Sequence, residues 1–232
     1  MAGSPLKSRA DEPAQLTMFD EEERDLFGFD SRLRAEHGVI CGIDEAGRGP
    51  LAGDLFTAAV VFDEGVFIEG LDDSKKLTEK KRERLFDEIC AKAKAWCVAT
   101  ASVEEIERIN ILQADFRAME RAYAGLGMTA GLVIVDGNML PNIGAPMRSI
   151  VKGDARSASI AAASVLAKVS RDRYMKRMAE KYPHYGFEKN KGYGSKAHYA
   201  ALDEYGQCDI HRPFFLRKYY AKKAEDGQTG KG

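Results

Sequence analysis

The fold is decided by the stretch Val39-Ile40-Cys41-Gly42-Ile43-Asp44-Glu45-Ala46-Gly47-Arg48-Gly49-Pro50. Its apolar first half is typical of a buried strand, and two adjacent carboxylates follow directly. The glycines on either side of Arg48 expose backbone N–H groups that suit a phosphate. Carboxylate oxygens beside a phosphate-binding turn suggest a Mg²⁺ or Mn²⁺ site for phosphoryl transfer, although a lone acidic pair is ordinarily a surface turn.

Strand geometry places a condition on Glu45. Successive side chains of a strand point to opposite faces, so Asp44 and Glu45 cannot share one metal if the strand continues straight. Either the chain bends at Ala46-Gly47, or Glu45 binds through its backbone or a water. A dinucleotide-binding loop is excluded by the G-x-G-x-x-x-G spacing, by Pro50 and by the strand pattern that follows. The turn instead lets a nucleic-acid backbone approach closely, with Arg48 available for bidentate phosphate contact.

Outside this stretch, hydrophobic periodicity predicts a mixed sheet with helices on its faces. Residues 39–44, 55–62 and a possible third strand at 66–68 are expected to form an antiparallel meander. A Thr78-capped helix should run to Lys92, with Leu85 and Ile89 on its buried face. The other predicted elements are strands at 96–101 and 132–135, helices from 103 and over 112–126, and a long helix over 157–181.

Three aspartates fall at the ends of predicted elements: Asp44, Asp136 and Asp154. A lone aspartate after a strand usually begins a turn or caps a helix. Because α/β sheets place their sites at strand ends, three such residues favour a metal cluster instead.

Charge is distributed unevenly along the 232 residues, although the net charge is only −1. Residues 1–38 hold nine acidic and five basic side chains, whereas residues 151–223 hold sixteen Lys/Arg against seven Asp/Glu. Eight of the nine tyrosines lie after position 170, and a basic, tyrosine-rich segment is typical of a nucleic-acid face. The cysteine spacing fits neither a metal site nor a redox pair, and no membrane span or secretory signal is evident. We expect a cytoplasmic protein that does not associate with membranes.

Six segments within residues 38–215 combine into a specific pattern. They are Gly42-Ile43-Asp44-Glu45-Ala46-Gly47-Arg48-Gly49-Pro50, Asp73-Ser74-Lys75-Lys76-Leu77, Val135-Asp136-Gly137-Asn138, Lys152-Gly153-Asp154, the helix from Ile160 to Asp172, and Lys191-Gly192-Tyr193-Gly194. In these segments and in their order, the chain resembles bacterial ribonuclease HII.

The resemblance implies an RNase H-like fold, with a mixed five-stranded sheet, flanking helices and a helical C-terminal extension. It also implies a hydrolase that cuts the RNA strand of RNA–DNA hybrids, and single ribonucleotides embedded in duplex DNA, leaving 3′-hydroxyl and 5′-phosphate ends. Such an enzyme would act in ribonucleotide excision repair with two Mn²⁺ or Mg²⁺ ions. We expect a mobile tail at 1–36, a catalytic domain at 37–205, a helical extension at 206–223 and a disordered tail at 224–232.

The same resemblance assigns roles to individual residues. The four active-site acids are Asp44, Glu45, Asp136 and Asp154, with Asp44 expected to bridge the two metals. Substrate recognition falls to Gly47, Arg48 and Gly49 and to a substrate-sensing tyrosine, Tyr193. Six basic residues are candidate phosphate contacts independently of the resemblance, although each taken alone is more often a solvated charge: Lys75, Lys76, Lys168, Arg171, Lys189 and Lys191. His211 is expected to be a packed surface histidine.

The segment Gln15-Leu16-Thr17-Met18-Phe19 resembles the motif by which bacterial replication and repair proteins dock on the DNA sliding clamp. A hydrophobic segment folding back onto the domain is the structural alternative. We otherwise expect a monomer. Two other functions stay open from the sequence: a nucleic-acid-binding module without catalysis, and another metal-dependent nuclease or resolvase of the same fold.

Overall fold

A five-stranded sheet forms the centre of the computed structural model, which describes residues 25–229. The strands are β1 (Ile40–Ala46), β2 (Leu55–Val61), β3 (Ala95–Ala101), β4 (Leu132–Asp136) and β5 (Met147–Ile150). They lie in the order β3-β2-β1-β4-β5. Strands β1 to β3 are antiparallel neighbours, whereas β4 pairs parallel with both β1 and β5. The predicted mixed five-stranded sheet is confirmed.

Helices flank this sheet and continue beyond it. They are α1 (Leu26–His37), α2 (Glu79–Lys92), α3 (Val103–Ile109), α4 (Ile111–Ala124), α5 (Ala158–Lys181), α6 (Phe187–Asn190), α7 (Lys196–Tyr205) and α8 (Pro213–Thr229). The Thr78 side chain accepts the Lys81 N–H and begins α2, as predicted, and Ser157 caps α5 in the same way. None of the helices in residues 25–229 is long and apolar enough to cross a membrane.

Helix α5 covers one face of the sheet and α4 covers the other. The alanine-rich first half of α5 packs closely on the sheet, and Gly42 of β1 leaves room for the helix backbone because it has no side chain. A Cβ atom at Gly42 would lie 2.3 Å from the Ser159 carbonyl carbon, so no larger residue fits there. This contact fixes the start of α5 directly beside the end of β1.

The predicted tail boundary at residue 36 is wrong, because α1 belongs to the folded domain. The Asp25 carboxylate accepts the Gly28 N–H at 2.9 Å, and Leu33 of α1 is buried. Asp30 is also buried and accepts hydrogen bonds from the hydroxyl groups of Ser157 and Ser159 at the start of α5. The buried residues of α1, Leu26, Asp30 and Leu33, lie on one face of the helix, and that face packs against α5.

Two further expectations about elements differ from the structure. Residues 66–68 form no strand; Ile68 is buried but Phe67 is largely exposed, and β3 takes the meander's third position beside β2. At the other end, α8 continues to Thr229, past the predicted start of a disordered tail at 224. Its alanine, lysine and glutamate residues are good helix formers, so a polar composition does not end the helix.

The C-terminal helices have an apolar core of their own. It is built mainly from Met175 at the middle of α5, Phe187, Leu202 and Leu216, with Ala52 from the loop after β1. This core ties α7 and α8 to the loop that follows the glycine-rich turn. The placement of that turn therefore depends on the C-terminal part of the chain.

Candidate active site

Asp44 and Asp136 meet because β1 and β4 are parallel and in register. Ile43 lies opposite Val135, and the two aspartates follow these residues on the same face. The Gly153 N–H donates to Asp136 Oδ1 at 2.6 Å, which brings the short 3₁₀ turn Gly153–Ala155 alongside. Oxygens of Asp44, Asp136 and Asp154 consequently lie within 4.8 Å of one another. This is the cluster that the three element ends predicted.

The cluster carries more negative charge than its surroundings neutralise. Asp44 is buried, with Oδ1 accepting the Glu45 N–H at 2.8 Å and a further hydrogen bond from Ser164. Burial, and then repulsion from Glu45 and Asp136, raises the pKa of Asp44 well above its ordinary value. Burial and the charge of Asp154 also raise the pKa of Asp136. A cation bound here would relieve that repulsion.

Lys75 supplies the positive charge that the chain itself places in the cluster. Its Nζ lies 2.8 Å from Asp154 Oδ2. Burial opposes its charge, but the hydrogen bond and charge of Asp154 outweigh burial and raise the pKa of Lys75. Asp73 caps the turn that carries Lys75 by accepting its N–H at 2.9 Å. Lys76, in contrast, pairs with Asp72 at 3.2 Å and lies outside the cluster.

Glu45 lies on the other face of β1, as side-chain alternation predicted. The strand runs through Ala46, and the three-carboxylate cluster does not include Glu45. Its carboxylate is 3.6 Å from Arg48 Nη1, and Arg48 Nε is 3.4 Å from the buried Asp115 on α4. Burial raises the pKa of Asp115 to about 8, with the Glu45 charge contributing. A ligand role for Glu45 stays a prediction.

The turn after β1 needs glycine at position 47. Gly47 has φ +104°, and a Cβ atom there would lie 2.2 Å from Arg171 Nε. Arg171 itself is 1% exposed, and its guanidinium donates to the backbone carbonyls of Ala52, Asp54 and Lys191 at 2.9–3.1 Å. These buried carbonyl groups take three of the guanidinium donors, and the predicted phosphate contact of Arg171 stays a prediction.

Tyr193 stands on the loop before α7 with 49% of its surface exposed. A Cβ atom on Gly49 would touch its ring at 3.8 Å, so the ring lies beside the glycine-rich turn. One cavity of about 270 Å³ is shared by Asp44, Glu45, Asp136, the turn and Tyr193. A larger cavity of about 420 Å³ beside Phe27 and Phe67 has no carboxylate cluster within the described residues.

The remaining predicted phosphate contacts differ in availability. Lys168 lines the cavity but bonds Asp172 at 2.6 Å, and burial lowers its pKa. Lys189 is exposed, whereas Lys191 is partly exposed, with its Nζ donating to the Glu188 carbonyl. A phosphate contact for each of these lysines stays a prediction.

Sequence reasoning missed Arg212 and misplaced His211. Arg212 is completely buried, and His211 is 2% exposed rather than a surface residue. Their only signal in the sequence is the run His211-Arg212-Pro213 at a helix start, which does not reveal what either side chain contacts.

A family model described as Ribonuclease HII matches residues 41–223. The chain belongs to the ribonuclease HII family. It is 52% identical over 197 residues to the ribonuclease HII of Caldicellulosiruptor bescii, covering 84% of this chain and 96% of that protein. The ribonuclease HII of Delftia acidovorans is 56% identical over 178 residues, covering 77% and 76%. The chain is accordingly a type 2 ribonuclease H, an endonuclease.

Solved structures agree with the fold of this ribonuclease HII. The ribonuclease H2 of Pyrococcus horikoshii superposes with a TM-score of 0.65 at 28% identity, covering 78% of this chain and 96% of that one. The RNase HII of Archaeoglobus fulgidus, solved as a complex with PCNA, gives 0.62 at 26% identity and covers 75% and 93%. The RNase H-like architecture inferred from the motifs is confirmed.

Proposed function

We propose that this enzyme hydrolyses the RNA strand of RNA–DNA hybrids and also cuts at single ribonucleotides embedded in duplex DNA. The observation that carries the proposal is the shared cavity, where Asp44 and Asp136 of the carboxylate cluster face a glycine-rich turn and an exposed tyrosine. A nuclease that ignored the sugar would need only the carboxylates. Selection for RNA must depend on the 2′-hydroxyl, which the turn and Tyr193 are placed to contact.

The donor set fits divalent cations. The ligand atoms that the three aspartates offer are all carboxylate oxygens, which suit divalent cations. The pKa values of Asp44 and Asp136 are raised in part by repulsion from neighbouring carboxylates, and a bound cation would relieve that repulsion. We propose that these three residues, with Glu45 completing the set, hold two Mg²⁺ or Mn²⁺ ions. When bound, such ions supply an activated water and neutralise charge on the phosphate and the leaving oxygen.

The chain's own residues have separate tasks in this proposal. Arg48, 45% exposed at its side chain, is placed to pair with a phosphate beside the cut. Backbone N–H groups of the turn bond the 2′-hydroxyl, and the Tyr193 ring packs on the neighbouring sugar. Lys189 and Lys191 bind phosphates farther along the duplex. Cleavage leaves 3′-hydroxyl and 5′-phosphate ends.

Incision of a labelled duplex that contains one ribonucleotide tests this function. We expect cleavage with Mg²⁺ or Mn²⁺, none with EDTA, and none of an all-DNA duplex of the same sequence. Extension of the product by a DNA polymerase would identify the 3′-hydroxyl. Equal cutting of both duplexes would contradict RNA selection, and cutting in EDTA would contradict the metal requirement.

We also propose that residues 15–19 dock the enzyme on the sliding clamp. These residues lie outside the described part of the chain. The Archaeoglobus fulgidus RNase HII complex with PCNA supports clamp binding as a property of a relative. Clamp tethering would raise local enzyme concentration on new DNA. A peptide of residues 10–25 should bind the organism's clamp with micromolar affinity, and Phe19→Ala should abolish binding; failure of peptide and full-length protein alike would refute docking.

A further inference from the structure

The guanidinium of Arg212 donates hydrogen bonds to the glycine-rich turn and to the loop that follows it. Its Nη2 donates to the Gly47 carbonyl at 2.8 Å, and Nη1 donates to those of Arg48 at 3.2 Å and Pro50 at 3.0 Å. Its Nε donates to the Gly53 carbonyl at 2.9 Å. One buried side chain thus bonds four carbonyl groups within seven residues, which leaves the turn little freedom to rotate its peptide planes.

These bonds also fix the direction of two N–H groups. In a trans peptide the C=O of one residue and the N–H of the next point in opposite directions. Because the Gly47 and Arg48 carbonyls point to Arg212, the N–H groups of Arg48 and Gly49 point away from it. Within residues 25–229, neither N–H donates a hydrogen bond to another group. Both residues line the cavity that holds the carboxylates, so these are donors free for a substrate.

His211, the neighbour of Arg212, belongs to a hydrogen-bonded chain that ends at Tyr193. His198 Nδ1 lies 2.9 Å from the Tyr193 carbonyl, and His198 Nε2 lies 2.9 Å from His211 Nε2. The Cys208 N–H donates to His211 Nδ1 at 2.9 Å. A carbonyl only accepts, so His198 carries its proton on Nδ1 and accepts at Nε2, and His211 carries its proton on Nε2.

Both histidines are neutral in this arrangement, and burial favours the neutral form of each. Burial, and then the neighbouring His198, lowers the pKa of His211 to about 4. Burial likewise lowers the pKa of His198. Each ring nitrogen in the series of hydrogen bonds from Cys208 to Tyr193 therefore has a partner at neutral pH.

The backbone of the same dipeptide joins the two loops. The Arg212 N–H donates to the Leu51 carbonyl at 2.8 Å, and Ala52 forms an antiparallel bridge with His211. The Leu51 N–H in turn donates to the Gly192 carbonyl at 2.8 Å, next to Tyr193. His211 and Arg212 thus contact the loop of residues 47–53 directly, and they reach the loop of Tyr193 through His198 and Leu51.

We propose that Arg212 and His211 are positioning residues for the recognition of a nucleotide that bears a 2′-hydroxyl. Arg212 aims the N–H groups of Arg48 and Gly49 into the cavity. His211, acting through His198, holds the loop that carries Tyr193 at the matching distance. This inference rests on the proposed function, since it explains how the turn and the tyrosine are held for the same sugar.

The first test is Arg212→Lys, with Arg217→Lys as the matched control. Lysine keeps the charge but cannot reach four carbonyls, whereas Arg217 lies exposed on α8 and bonds neither loop. We expect Arg212→Lys to lower kcat on a single-ribonucleotide duplex by about 100-fold, as misplacement of contact groups does. Its Kd for an all-DNA duplex should stay unchanged, and Arg217→Lys should match the wild type in both measurements.

The second test compares His198→Asn with His198→Gln and does not depend on the folding of an arginine variant. An asparagine amide can replace Nδ1 and keep the bond to the Tyr193 carbonyl, whereas glutamine reaches the Nε2 position instead. We expect His198→Gln to lose about tenfold more activity than His198→Asn, the equivalent of one hydrogen bond.

The outcomes separate this inference from the proposed function. A wild-type enzyme that ignores the single ribonucleotide refutes the proposed function, and the inference with it. If the wild type cleaves, a folded Arg212→Lys variant with a kcat close to the wild type refutes the role of Arg212. Equal activity of the two His198 variants refutes the hydrogen-bonded chain to Tyr193. Should Arg212→Lys not fold, the two His198 variants decide the part of the inference that concerns the loop of Tyr193.

Discussion

Replacing Asp44 by asparagine should stabilise the metal-free enzyme while removing its activity. Asp44 is buried among carboxylates that lie within 4.8 Å, and asparagine keeps its shape without its charge. The asparagine oxygen can still accept the Glu45 N–H that now bonds Asp44 at 2.8 Å. The change therefore removes repulsion and a metal ligand with little effect on packing.

The expected gain follows from the geometry. Two unit charges 4.8 Å apart repel each other by about 3 kcal/mol at an effective dielectric constant of about 20. Lys75 at 2.8 Å from Asp154 offsets part of the cluster's negative charge. We therefore expect the free energy of unfolding to rise by about 1–3 kcal/mol, which corresponds to a Tm increase of about 3–10 °C for a domain of this size.

Thermal unfolding in EDTA at pH 8 measures this gain. Asp63→Asn is the matched control, because Asp63 is exposed and pairs with Lys94 at 2.7 Å rather than with the cluster; its effect should be below about 1 kcal/mol. Added Mn²⁺ should raise the Tm of the wild type by binding the native state, and should raise that of Asp44→Asn much less. A metal-free Asp44→Asn variant that is less stable than the wild type would refute the repulsion argument. Cleavage near the wild-type rate with saturating Mg²⁺ would refute the metal-site assignment.

The other predictions concern recognition, binding and acid stability. Tyr193→Ala should severely reduce cleavage at a single embedded ribonucleotide while Tyr193→Phe keeps much of it, because the ring makes the contact; identical kinetics for both variants would show that stacking is not its role. Lys189→Ala should weaken binding to every duplex and lower the slope of log K against log salt by about 0.9, the loss of one phosphate contact, and an unchanged slope would contradict that contact. Since the pKa of His211 is lowered to about 4, its neutral form contributes stability that is complete above pH 6.5 and is lost as the pH falls to 4. Urea unfolding should record a loss of up to about 3 kcal/mol over that range, and a His211→Asn variant with an equally steep pH profile would contradict it.

The sequence predicts the residue types of the candidate site and the main elements of the fold. The apolar run before Asp44 predicted β1, and the run before Asp136 predicted β4, because each strand is buried and ends at a turn. Alternation along β1 predicted that Asp44 and Glu45 would lie on opposite faces, which is a local property of any strand. The predicted roles of Arg48 and Tyr193 came from motifs, which specify residue types and spacing but not the groups that each side chain contacts.

The exposure of these residues and their hydrogen-bond partners follow from the folded structure and not from the local sequence. Arg171 and Lys168 both look like phosphate contacts in a basic helix, and both line the cavity. Arg171, however, is buried and donates to three backbone carbonyls, whereas Lys168 is partly exposed and pairs with Asp172. Arg212 and His211 gain their partners from chain segments far away in sequence, such as the turn at Gly47, more than 160 residues earlier. Periodicity and motifs record local spacing, whereas a buried donor is defined by the distant acceptor it satisfies, and that pairing exists only once the chain has folded.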